Sequence, residues 1–109
     1  MKVGCDLVCV SQFIASIERS ELLLEKLFTT YELAQAQAPE SLAGIFAAKE
    51  AFLKASGLKF KSWHEMEIYK LASGKPAIRF SGDISFDSID VSISHDGDYA
   101  MAVVIISQF

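Results

Sequence analysis

Residues 3–10 are apolar at both odd and even positions, broken only by Gly4 and Asp6, and the β-branched content predicts a buried strand. From 11 to 26 the apolar positions Phe13, Ile14, Ile17, Leu22 and Leu23, with Leu27 following, recur at helical spacing, and a break falls near Ser20. Thr29 or Thr30 can cap a short helix over 31–37 with Glu32 in its first turn. Pro39 is expected to stop that element, and Glu40 or Ser41 to restart the chain. The strongest helix spans 41–56, where Leu42, Ile45, Phe46, Lys49, Phe52 and Leu53 form one stripe and Gly57 stands at the C-cap position. Residues 66–71 alternate, Ser73-Gly74 turns the chain, and 76–80 returns as an edge strand. Residues 89–94 and 99–107 read as a hairpin through Asp96-Gly97. A strand, then helices, then mostly antiparallel strands make an α+β fold.

Composition changes this picture little. A chain of 109 residues, 51% apolar and 22% charged, fits one globular domain and is too hydrophobic for disorder. So much apolar surface in so small a chain raises the expectation of a subunit interface. The net charge of −4 argues against nonspecific nucleic-acid binding. Lys54, Lys59, Lys61 and Lys70 nevertheless cluster in one stretch, a local patch better suited to a small anionic ligand. Cys5 and Cys9 would lie roughly 13 Å apart on one face of a strand, beyond disulfide reach. Free thiols, with no leader-like start and no apolar run near ~20 residues, point to a soluble, cytoplasmic protein without a membrane span.

Candidate chemistry begins with Asp6. An ionised carboxylate in an apolar strand needs a partner, either a backbone amide, a lysine or a cation. Glu50 is the next, on a helix face of small residues (Ala43, Ala47, Ala51, Ala55) that permits close approach. Lys54 follows it at i+4, where a plain helical ion pair is the simplest reading. His95, beside the hairpin turn and preceded by Ser92 and Ser94, is the third; such a histidine is ordinarily exposed and structural. His64, next to Trp63, reads as surface or interfacial.

Longer patterns tie these residues together. Phe46-Ala47-Ala48-Lys49-Glu50-Ala51-Phe52-Leu53-Lys54-Ala55 with Gly57 resembles the F-A-x-K-E-A-x-x-K-A-x-G signature of phosphopantetheinyl transferases. Gly4-Cys5-Asp6-Leu7-Val8 is similar to the G-x-D-[IL]-V opening of their acyl-carrier-protein synthase branch. Phe28-Thr29 with Glu32-Leu33, Gly74-Lys75-Pro76, and Ser92-Ile93-Ser94-His95-Asp96 resemble further segments of that branch, in family order. The resemblance implies that residues 1–109 form a single transferase domain, a mostly antiparallel sheet packed on the long helix. It implies transfer of 4′-phosphopantetheine from coenzyme A to a serine of apo-acyl carrier protein, in support of fatty acid biosynthesis, with release of adenosine 3′,5′-bisphosphate. Asp6 and Glu50 would hold Mg²⁺, and Glu50 would also act as base through a bound water. Lys54 would meet a phosphate or position the serine side. Gly57, Lys59, Ser94 and His95 would line the coenzyme A site, with His95 on the nucleotide. A homotrimer with the coenzyme A cleft between subunits is implied as well.

This chain departs from the family pattern at three places. Family members usually carry Arg at Ile45 and near Gln12, where a basic side chain would help dock an acidic carrier; here Lys49, Lys26 or Arg19 would have to take over, or binding would be weaker. A G-T-G loop after the helix becomes Gly57-Leu58-Lys59, with Lys59 and Lys61 replacing backbone contact electrostatically. Two rival readings are a coenzyme A-binding module without turnover and a metal-dependent hydrolase of nucleotide diphosphates.

Overall fold

The computed structural model describes residues 1–36 and 38–107. The elements run β1 (Lys2–Cys9), α1 (Val10–Arg19), α2 (Glu21–Leu27), α3 (Thr30–Gln35) and α4 (Pro39–Ser56). A 3₁₀ turn (Trp63–Glu65), β2 (Met66–Lys70), β3 (Pro76–Phe80), β4 (Ser88–Asp96) and β5 (Tyr99–Ser107) follow. The fold is α+β, with the long helix α4 packed on an antiparallel sheet. In that sheet the strand order is β1-β5-β4, and β2 and β3 form a separate antiparallel pair. Among the described residues no helix is long and apolar enough to cross a membrane.

Small residues set the spacing between helix and sheet. Ala43, Ala47, Ala48, Ala51 and Ala55 on α4 are buried against Ala100, Ala102 and Val104 of β5. A Cβ on Gly4 would lie 2.1 Å from the carbonyl oxygen of Ala51 and 2.6 Å from the amide nitrogen of Ala55. Only glycine lets β1 come this close to α4. Aromatic rings fill the flanks: Phe52 meets Phe80 and Phe86 on one side, while Phe13, Phe28, Phe46 and Trp63 pack on the other.

Several boundaries differ from the sequence reading, each for a physical reason. The expected buried strand is buried on one face only. Gly4 and Val8 point into the helix layer, whereas Val3 and Leu7 are 66% and 63% exposed because β1 is an edge strand whose outer face carries no layer. The strand stops at Cys9, and Val10 opens α1. Pro39 starts α4 rather than ending α3, since the first turn of a helix has no use for the amide hydrogen that proline lacks. Helix α3 ends at Gln35, and Gln37 lies outside the described residues. Asp96 pairs with Tyr99, so the hairpin loop is Gly97-Asp98, with Gly97 at φ 55°. The break at Ser20, the Thr29 cap and the Gly57 C-cap (φ 67°) stand where the sequence put them.

Candidate functional site

Asp6 projects from β1 toward α4, on the same face as Gly4 and Val8. Its Oδ1 accepts from Lys54 Nζ at 2.9 Å, and that ammonium also reaches the Cys5 carbonyl oxygen at 3.1 Å. The i, i+4 pair of Glu50 and Lys54 therefore does not close as a simple helical salt bridge. Lys54 crosses to the strand instead, and its bond to Asp6 holds its pKa above the ordinary lysine range. Among the described residues no hydrogen bond or ion pair engages the Glu50 carboxylate. Burial raises the Glu50 pKa above the usual carboxylate range, the nearby charge of Asp6 raises it further, and Lys54 partly opposes both.

The charge of Asp6 thus acts against that of Glu50, and Lys54, bonded to Asp6, opposes the repulsion. Such a donor set suits a hard divalent cation, which takes carboxylate oxygens and leaves other positions for ligand and water. Among the described residues no cluster of three or more His, Cys, Asp or Glu side chains occurs. A protein contribution of two carboxylates is thus the set that these side chains offer.

Lys49, the neighbour of Glu50, faces the opposite way. Its Nζ is buried and bonds Glu32 Oε1 at 2.6 Å, the Leu27 carbonyl oxygen at 2.8 Å and the Trp63 carbonyl oxygen at 3.3 Å. Glu32 completes the knot: its Oε1 accepts from the Thr29 amide and its Oε2 from the Ile68 amide. Desolvation pulls the Lys49 pKa below its ordinary value, against the pull of Glu32. A fully buried ammonium cannot meet a docking partner, so the expectation that Lys49 replaces a surface arginine is corrected. Arg19 and Lys26 are exposed.

His95 stands at the other edge of the sheet. Asp6 pairs with Ala102, and Ala100 pairs with both Val8 and His95, so β5 separates β1 from the histidine strand. His95 packs over α4 where Gly44 leaves room; a Cβ there would lie 2.9 Å from Nε2. That nitrogen is 2.9 Å from the Glu40 carbonyl oxygen, which can only accept, so Nε2 donates and Nδ1 is left for a ligand. Beside it opens a cleft of about 270 Å³ lined by Ile45, Ile68, Ile93 and Pro76 together with Lys70 and His95. At ~100° per residue, Ile45 and Glu50 lie on nearly opposite flanks of α4. One chain therefore brings Asp6, Glu50 and Lys54 together but leaves His95 apart.

The other expected residues divide similarly. Gly57 and the exposed Lys59 follow the C-terminal end of α4, far from the His95 end of that helix. Ser94 alternates to the outer face of the sheet, across from Met101, with its side chain turned from the cleft. Lys70, grouped in the sequence with Lys54, Lys59 and Lys61 as a patch for a small anion, lines the cleft, a placement that depends on how the β2–β3 hairpin folds beside α4. One group escaped the sequence reading. Asp98 holds the start of α1 by accepting from the Ser11 amide (3.0 Å) and hydroxyl (2.5 Å) and from Cys9 Sγ (3.2 Å). Its only sequence signal was a turn aspartate.

Residues 2–104 match the family model ACPS, described as the 4′-phosphopantetheinyl transferase superfamily. A holo-[acyl-carrier-protein] synthase of Geobacter sulfurreducens is 37% identical over 96% of this chain and 95% of its own length. That of Shouchella clausii is 38% identical over 95% of each. Among solved structures, the Helicobacter pylori holo-[acyl-carrier-protein] synthase in complex with coenzyme A superposes with a TM-score of 0.87 at 30% identity, covering 96% of this chain and 99% of that one. The Chronobacterium ammoniagenes ACPS-CoA complex gives 0.89 at 31% identity, covering 99% and 97%. Matches over nearly the whole length, in sequence and in fold, establish that the chain belongs to the holo-[acyl-carrier-protein] synthase family of the 4′-phosphopantetheinyl transferase superfamily.

Proposed function

We propose that this chain transfers the 4′-phosphopantetheine group of coenzyme A to a serine of apo-acyl carrier protein, releases adenosine 3′,5′-bisphosphate, and so supports fatty acid biosynthesis in the cytoplasm. The observation that carries the reading is the unpaired, pKa-raised carboxylate of Glu50 beside the lysine-held Asp6, in a chain of this family. Asp6 and Glu50 are the residues that would hold Mg²⁺. When bound, the ion would supply stabilisation for the charge that develops on the departing adenosine bisphosphate.

The protein groups divide the remaining work. Lys54 orients Asp6 and adds positive charge to the flank that receives the diphosphate. The serine oxygen attacks the pantetheine-side phosphorus, the bridging P–O bond breaks, and its electron pair leaves with the adenosine bisphosphate. The serine proton passes to Glu50 by way of a bound water. The cleft beside His95 offers apolar side chains for a base and basic ones for phosphate.

These two halves lie at opposite edges of one sheet, which favours a site formed between chains. Val3, Leu7, Met101 and Ile105 on the outer sheet face are 40–66% exposed, an apolar surface of the kind that subunits cover. A homotrimer accommodates both facts.

Incubation with Mg²⁺, coenzyme A and apo-carrier protein tests the reading by intact mass. The carrier should gain one phosphopantetheine group, and Asp6→Ala or Glu50→Ala should abolish the gain. Coenzyme A binding without any carrier mass change would support a binding module instead. Cleavage of coenzyme A with the carrier unmodified would support a hydrolase.

A further inference from the structure

Helix α4 meets the sheet through alanines. Ala43, Ala47, Ala48, Ala51 and Ala55 let it come close, but a face of methyl groups has few knobs to stop the helix turning about its own axis. Side chains reach about 5–6 Å from that axis, so a turn of about 10° moves a carboxylate by about 1 Å. Something besides the alanines must set the rotation, and it stands one residue before Glu50. Lys49 is fully buried, and its three ammonium protons are all used, on Glu32 Oε1, the Leu27 carbonyl oxygen and the Trp63 carbonyl oxygen. The ammonium also lies 5.5 Å from the centre of the Phe28 ring. Glu32 is fixed in turn by the Thr29 and Ile68 amides. These anchors come from α2, the start of α3, the 3₁₀ turn and β2, none of them in the sheet that carries Asp6. A buried ion pair has direction, which apolar contact lacks, and fixing register is its best-attested use.

We infer that the Lys49–Glu32 ion pair is the positioning element for Glu50, fixing the turn of α4 about its axis so that Glu50 and Asp6 can serve one cation. This rests on the Mg²⁺-dependent transferase reading above and adds two positioning residues to it. Gly4 sets how near α4 comes to β1, and Lys49 sets which way the helix faces once there. Neither Lys49 nor Glu32 needs to touch the ligand. Misplacement of Glu50 by about 1 Å is enough to cost tenfold or more in metal affinity and rate.

The double variant Lys49→Met with Glu32→Gln tests this, because it removes both charges together and leaves neither buried alone. It should unfold cooperatively in urea and bind adenosine 3′,5′-bisphosphate, which has no diphosphate, within about threefold of the wild type. Calorimetric titration of Mg²⁺ into the protein saturated with coenzyme A should show affinity about tenfold weaker. In the carrier mass assay kcat should fall about tenfold at saturating Mg²⁺, with KM for coenzyme A changed less than about threefold. Glu32→Gln alone keeps an acceptor oxygen and two carbonyl partners for Lys49, so it should show a smaller loss in the same direction. It decides the matter if the double variant does not fold. Wild-type Mg²⁺ affinity and kcat in the folded variant overturn the assignment, as does equal weakening of Mg²⁺ and adenosine bisphosphate, which is general loosening. If the wild type itself shows no Mg²⁺-dependent transfer, the transferase reading fails, and the assignment with it.

Discussion

Glu50 is held in an environment that works against its own charge. Its folded-state pKa is raised, first by burial and then by Asp6, so its contribution to stability is present below the unfolded-state value and is lost as pH rises through the folded one. At neutral pH the metal-free protein is therefore destabilised at this position. Glu50→Gln should melt at a higher temperature than the wild type near pH 7 without metal, with the gap closing near pH 4, while transfer activity is lost. Scanning calorimetry across that pH range checks the sign; a variant less stable at pH 7 would show that Glu50 is satisfied by something other than a ligand. The two acidic residues were unequally legible. Asp6 announced itself as a carboxylate in an apolar strand, whereas Glu50 on pattern alone was half of an ion pair that the structure does not form. Lys49 carried a signal that pointed inward, because it sat in the apolar stripe of its helix. Its partner Glu32 was hidden because it read only as an acidic residue in the first turn of α3, where it also completes the cap.

The approach of β1 to α4 is the element-scale event on which the carboxylates depend. Gly4 sits against the Ala51 carbonyl oxygen, so Gly4→Ala must push the strand and helix apart. It should cost about 1–3 kcal/mol and lower transfer activity more than tenfold by drawing Asp6 away from Glu50. Urea titration and the carrier mass assay read the two effects separately. A fully active Gly4→Ala protein would show that this spacing is not what positions the pair. Helix α4 was the most legible element, since its stripe, its small-residue face and its C-cap all agreed. The register of β1 on β5 was not legible, because long-range pairing leaves no local trace. With it went the knowledge that Asp6 and His95 occupy opposite sheet edges. Asp98, likewise, is a cap only through a contact between distant parts of the chain.

At the scale of the whole molecule, the outer face of the sheet exposes Val3, Leu7, Met101 and Ile105. Under the proposed trimer, sedimentation should give a mass about three times the 12.0 kDa chain, and Leu7→Lys should shift it toward one chain with loss of transfer. An active monomer would refute the shared site. The α+β class followed from the order of patterns, but which faces stay uncovered did not, because apolar residues on an edge strand read the same whether a core or a neighbour covers them. The separation of Asp6 from His95 has a consequence for mixed populations. Asp6→Ala chains keep an intact cleft, and His95→Ala chains keep intact carboxylates. Neither should work alone, yet random reassembly of equal amounts would join a sound cleft to a sound carboxylate flank at about one interface in four. Two dead proteins, unfolded and refolded together, should then recover about a quarter of the wild-type rate, and no recovery would mean that each chain carries its site within itself.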